Sequence, residues 1–206
     1  MARPRSDIRL RLLHAARARF LSDGVDGASL RAIAEQARTS IGMVYYYFPT
    51  KDDLFLAVVE EVYVGLLADL ERVLAPDLPV GERLRGLYLR VGSLSPAELQ
   101  VVRLMLREAL LSAARLARLF ERFRRGHVPL LLRLVQDGQR DGLFAPDVAP
   151  LLLLASILAL GGPAQAIAAI AGSRLGPLLR PPPAAGEPRA EALVALLLNG
   201  VGPRPR

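Results

Sequence analysis

The chain contains no cysteine and no tryptophan, and its 206 residues include one lysine, Lys51, and two histidines, His14 and His127. Without cysteine there are no disulfides, no thiol chemistry and no thiolate metal site, which fits a reducing interior. No His/carboxylate cluster has metal-ligand spacing, and neither a nucleophile motif nor a phosphate-binding glycine loop appears, so no metal, no cofactor and no enzyme activity are expected. The carboxylate pairs Asp52-Asp53 and Glu60-Glu61 are chain neighbours that point apart on a helix, so neither forms a shared acid/base site. The opening stretch "MARPRSDIRLRLLHAARARF" lacks the long apolar core and cleavage-like site of a secretory signal, and a cytoplasmic location is the expectation.

Long apolar runs are also scarce, with one exception. Residues Val148 to Ser173 carry no charge and are long enough to cross a bilayer. Gly161-Gly162-Pro163 interrupts the run, Gln165 sits inside it, and its alanine-rich second half gives little transfer energy per residue. A helix buried in a core or subunit interface accounts for it better than a membrane span, and no membrane partner is expected.

What the chain does have is apolar side chains, 52% of the total, and arginine, 26 to the single lysine, with a net charge of +7. That composition describes a globular protein. Nine basic and four acidic residues fall in 1–51, so most of the excess lies in the first quarter and indicates a polyanion contact there.

Helical periodicity runs throughout and no alternating strand is evident, so the fold class is all-α. Ile8, Leu12, Ala16 and Phe20 recur every four residues in a first helix that stops at Ser22-Asp23-Gly24. Ser29 caps a short second helix and Ser40 a third, which Phe48-Pro49 ends. Thr50 with Asp53 at N3 forms a capping box for a long fourth helix, whose Leu54, Val58, Val62, Leu66 and Leu70 present an apolar face. Breaks at 75–79, 95–96, 126–129 and 142–146 divide the middle of the chain, a proline-rich loop spans 176–188, and Arg189 to Asn199 forms a last apolar helix.

Two short helices about a tight turn, the second capped by a small polar residue, describe a helix-turn-helix. A helical wheel started at Ile41 puts Val44 and Phe48 inward and Ile41 and Tyr45 at the border, with Gly42, Met43, Tyr46 and Tyr47 outward. Outward tyrosine hydroxyls suit phosphate oxygens, and Lys51 lies in the first turn of the next helix, where free N–H groups favour an anion. The bland alternative is tyrosines packed on neighbouring helices beside a solvated lysine.

The stretch "LLHAARARFLSDGVDGASLRAIAEQARTSIGMVYYYFPTKDDLF" resembles the DNA-binding domain of TetR-family transcriptional regulators. Ala15-Ala16, Phe20, Gly24, Ser29, Ile33-Ala34, Ser40, Gly42, Tyr45, Phe48, Lys51 and Leu54 match that family's pattern in order. The chain departs at Arg38, where the family usually has a turn glycine, at Thr39, which replaces an apolar residue, and at Arg19, which replaces a leucine. The resemblance implies a three-helix DNA-binding domain over 1–50 joined to a larger helical ligand-binding and dimerisation domain over 51–206. It implies double-stranded DNA, read as a palindrome by a homodimer formed through about 147–172 and 188–200, and a small-molecule effector. Groove contacts are expected from Ile41, Gly42, Met43 and Tyr45, and phosphate contacts from Ser29, Thr39, Ser40, Tyr46, Tyr47 and Lys51.

Apolar Ile41 and Met43 can touch thymine methyls but cannot make the bidentate bonds that select guanine or adenine. The apolar content indicates a hydrophobic effector, with Tyr63, Tyr88, Met105, Phe123, His127 and Gln165 as lining candidates, although such residues are more often simple core. Arg115, Arg118, Arg122 and Arg125 share one helical stripe, fit either for an anionic ligand or for solvent. The rival to a DNA-binding regulator is a helix-turn-helix protein whose basic head serves a protein or membrane partner.

Overall fold

The computed structural model describes residues 5–161 and 185–199, and every element among them is helical. They are α1 Arg5–Gly27, α2 Leu30–Gln36, α3 Ile41–Tyr47, α4 Lys51–Val73, α5 Val80–Gly92, α6 Pro96–Leu111, α7 Ala113–Arg124, α8 His127–Arg140, α9 Pro150–Gly161 and α10 Glu187–Asn199. The chain divides into two compact units, one holding residues up to Leu66 together with Ser95–Phe123, the other holding Leu67–Leu94 and the described residues from Arg124 onward.

The first unit is built on α1. Leu12, Leu13, Ala16 and Phe20 are completely buried, as the four-residue spacing requires, and the Phe20 ring meets Phe55 of α4 edge-on at 6.4 Å. α1 does not stop at Gly24: it kinks there, with φ 77° and ψ 167°, and a further turn runs to Gly27. Only glycine adopts that backbone readily. Past the kink Val25 and Ala28 turn inward, and the Ala28 amide bonds to the Gly24 carbonyl at 3.1 Å.

One break goes unannounced in the sequence. α6 and α7 part at Ser112, whose backbone is extended at φ −138°, and its hydroxyl accepts from the Arg115 amide at 3.3 Å. Small hydroxyl side chains compete locally for backbone bonds in this way. The expected break at 95–96 is the start of α6, where Ser95 and Glu98 form a full capping box.

In the second unit α5 packs against α8, α9 and α10. Leu84, Leu87 and Tyr88 of α5 and Leu131, Leu134 and Val135 of α8 are buried, and Asp137 of α8 pairs with Arg83 of α5. That ion pair holds the Asp137 carboxyl below its ordinary value, with Arg140 adding to the effect. After α8 the chain folds back at once: the amides of Leu143 and Phe144 both bond to the Gly138 carbonyl, at 2.8 and 2.9 Å, and lay the Phe144 ring on Gly138. Of the uncharged run, Val148 to Gly161 falls among the described residues and is α9 from Pro150 onward; Gln165, the remainder of the run and most of the proline-rich loop lie outside them. No described helix is long and apolar enough to cross a membrane.

Arg38 takes a left-handed backbone, φ 53°, in the turn between α2 and α3. It is the one non-glycine residue with positive φ among those described. An L side chain there costs roughly 1 kcal/mol, so Arg38→Gly should raise the unfolding free energy by up to about that amount. Urea denaturation followed by circular dichroism measures it, and a loss of stability would mean that the arginine side chain offsets its own strain.

Candidate nucleic-acid interface

Each short helix of the head is started by its own hydroxyl. Ser29 accepts from the Ala32 amide and Ser40 from the Met43 amide, both at 3.4 Å. Thr50 and Asp53 complete the expected capping box at the start of α4: the Thr50 amide donates to the Asp53 carboxylate and the Asp53 amide to the Thr50 hydroxyl, both at 3.0 Å. Those bonds, Thr50 first, hold the Asp53 carboxyl below its ordinary value. The turn between α2 and α3 is tied back to α1 by Arg11, whose Nη1 donates to the Ala37 carbonyl at 2.9 Å.

These anchors fix which face of α3 looks outward. Val44 and Phe48 are buried, while Tyr45 is 54% and Tyr46 65% exposed. Gly42 is exposed and Ile41, Met43 and Thr39 are half-exposed. Tyr47 departs from the helical wheel: it is half-buried, with its ring 5.1 Å from Tyr46 and 6.2 Å from Phe48. Neighbouring rings on both sides cover it at the end of α3, a contact that a helical wheel does not show. The outward aromatic pair is Tyr45 and Tyr46 rather than Tyr46 and Tyr47.

Ser29 and Ser40 are exposed, and each cap leaves the hydroxyl proton free to donate. Lys51 is half-exposed and its Nζ donates to the Asp26 carbonyl at 2.8 Å, joining the start of α4 to the end of α1. An ammonium has three donors, so two remain for an anion.

Asp26 is also where the α7 arginines arrive. Both nitrogens at the end of the Arg115 guanidinium bond to its carboxylate, while Nε donates to Asp52 at 3.1 Å and Nη1 also to Glu108 at 2.8 Å. The guanidinium holds the Asp26 carboxyl below its ordinary value. Glu108 is 1% exposed, and its other oxygen accepts from the Val25 amide at 3.3 Å and from Arg107 Nε at 3.2 Å. Arg107 in turn caps the carbonyls of Phe20 and Leu21 just before the kink. Farther along α7, Arg118 pairs with Asp53, and Arg122 grips Glu60 through two bonds at 2.7 and 2.8 Å. The arginine stripe is therefore largely an ion-pair ladder onto α4 and the end of α1, a use that the sequence reading did not include. Arg107-Glu108, two charges inside an apolar stretch of α6, was the available signal.

The effector candidates fall in both units. Tyr63 of α4 and Phe123 of α7 meet at 5.2 Å with Arg122 stacked on the Tyr63 ring, and Met105 is half-buried in the same unit. Tyr88 and His127 belong to the second unit, where Tyr88 is buried, its phenol pushed up by desolvation, with its ring close to Gly161. No group of three or more His, Cys, Asp or Glu placed to hold a metal occurs among the described residues.

Two capped helices about a tight turn, the second presenting Tyr45 and Tyr46, form a helix-turn-helix. Residues 12–58 match the family described as bacterial regulatory proteins, tetR family. Over those residues the chain is similar to that family of transcriptional regulators. It is 29% identical over 140 residues to the HTH-type transcriptional repressor NicS of Pseudomonas putida, a match covering 66% of this chain and 66% of that one. It is 39% identical over 67 residues to the nicotine-responsive repressor HdnoR of Paenarthrobacter nicotinovorans, covering 32% of this chain and 34% of the relative. The chain thus spans just under two thirds of the first relative's length and about a third of the second's. Among solved structures, the regulator FadR of Bacillus subtilis in complex with stearoyl-CoA shares the fold with a TM-score of 0.72 at 17% identity, over 94% of this chain and 99% of that one.

Proposed function

We propose that the protein is a ligand-responsive repressor that binds a palindromic operator as a homodimer, with α3 of each protomer in the major groove. The observation that carries this reading is the face of α3: a recognition helix buries Val44 and Phe48 and holds the two tyrosines Tyr45 and Tyr46 more than half exposed, close to the sole lysine in chain order. Both relatives named above are described as repressors. In this reading Ile41, Gly42, Met43 and Tyr45 face the bases and Ser29, Thr39, Ser40, Tyr46, Tyr47 and Lys51 the phosphates. DNA-binding work falls to 1–50 and regulation to 51–206, in a cytoplasmic protein. Leu151, Leu152 and Leu158 of α9, exposed at 75%, 61% and 46%, support dimerisation through α9 and α10. The effector is a hydrophobic molecule, and it acts only in so far as it favours one spacing of the two heads over the other.

Selection of bound duplexes from a random DNA pool tests the reading directly. Enrichment of a two-fold symmetric site is expected, and a pool that yields none defeats it. On the selected site Tyr46→Phe should lose about 1 kcal/mol of binding if its hydroxyl meets a phosphate. Equal affinity of the two proteins by fluorescence anisotropy would return Tyr46 to a packing role.

A further inference from the structure

Arg83 lies near the start of α5 and is 1% exposed. Its Nη1 donates to Asp137 Oδ2 at 2.7 Å, while Arg140, one turn on from Asp137, takes the other carboxylate oxygen at 2.7 Å. Asp137 is therefore served on both oxygens. Arg83 is not: its Nε and Nη2 are buried and have no hydrogen-bond partner among the described residues. Buried donors of this kind are uncommon in folded proteins. The other buried arginine, Arg115, has every guanidinium nitrogen engaged by a carboxylate.

The two unmet nitrogens form one edge of the planar group. Their N–H bonds run side by side, the fork that holds a carboxylate or phosphate through two parallel bonds. Stabilising Asp137 needs only the opposite nitrogen, and a lysine would do that as well. Leu87 follows Arg83 on the same face of α5, and Leu134 precedes Asp137 on the same face of α8, both buried.

We propose that the Nε/Nη2 edge of Arg83 binds the oxyanion of an amphipathic effector, a carboxylate on an otherwise apolar body. The proposal rests on the effector-responsive reading above and adds its ligand chemistry: the effector is an acid, held at one end by a buried arginine and elsewhere by apolar contact.

Calorimetry on the full chain without DNA, using decanoate, methyl decanoate and decanol as probes, tests it. Decanoate should bind at least about tenfold more tightly than the ester or the alcohol, the margin expected of a charge-assisted bidentate contact. Arg83→Lys keeps a cation for Asp137 and removes the fork, so decanoate should fall to the level of the ester while the ester is unchanged. If that variant does not fold, the native chain still decides: the Arg83 Nε–H resonance should shift with decanoate and not with decanol. Equal binding of acid and ester, an unmoved resonance, or an acid preference retained by a folded Arg83→Lys would overturn the proposal. Failure to enrich a symmetric DNA site while decanoate selectivity persists would instead count against the regulator reading alone.

Discussion

Replacing Arg115 with methionine is expected to destabilise the protein by about 3–5 kcal/mol, the range found when one partner of a buried ion pair is removed. The reason lies in Glu108. It is 1% exposed, and besides the Val25 amide and Arg107 its carboxylate relies on Arg115, which is 6% exposed. Without the guanidinium a buried charge is left short of its main counter-ion, and Asp26 and Asp52 lose their bridge to α7. By contrast Arg118, whose side chain is 46% exposed, should cost at most about 1 kcal/mol when changed to alanine, because solvent screens its pair with Asp53. Chemical denaturation of the two variants gives the comparison. A double replacement, Arg115→Met with Glu108→Leu, should recover much of the loss, since it removes the stranded charge as well as its partner. A loss under about 1 kcal/mol for Arg115→Met would show that the cluster is hydrated rather than buried in solution.

The second large effect is expected at Gly138, inside α8. Helix propensity alone makes alanine better than glycine there by about 1 kcal/mol. Packing reverses the sign. A Cβ at this position would overlap the Phe144 ring, reaching 3.1 Å from its Cγ and nearer still to two other ring carbons. The ring is 5% exposed and held by the paired amides of Leu143 and Phe144 on the Gly138 carbonyl, so it has little room to withdraw. Gly138→Ala should therefore lower stability by about 1–3 kcal/mol, the usual cost of overfilling a packed core. Combining it with Phe144→Leu should return part of the loss in thermal unfolding. A more stable single variant would mean that propensity outweighs contact and that the loop after α8 yields.

The head was legible because its signals are local. Ser29, Ser40 and Thr50 with Asp53 each cap a helix within three residues of chain, and the buried pair Val44 and Phe48 obeys a period that any wheel displays. Arg38 could be read for a similar reason: a turn that wants glycine makes its arginine left-handed. Tyr47 is read as outward by a wheel, which does not show the Tyr46 and Phe48 rings that lie beside it. The α7 stripe shows a different limit. Spacing placed Arg115, Arg118 and Arg122 on one face but could not name their partners, because Asp26, Asp53 and Glu60 stand 89, 65 and 62 residues earlier. Arg83 escaped notice for the same reason, since Asp137 lies 54 residues away.

The bond from Lys51 to the Asp26 carbonyl has a chemical consequence. Lys51 carries the only side-chain amine in the protein, so an acylating reagent has a single lysine target. Acylation needs the nitrogen without its extra proton and open to the reagent, and the bond to the Asp26 carbonyl hinders that approach. The rate at which Lys51 acquires an acyl group therefore reports how often the clasp between the end of α1 and the start of α4 opens, without any introduced probe.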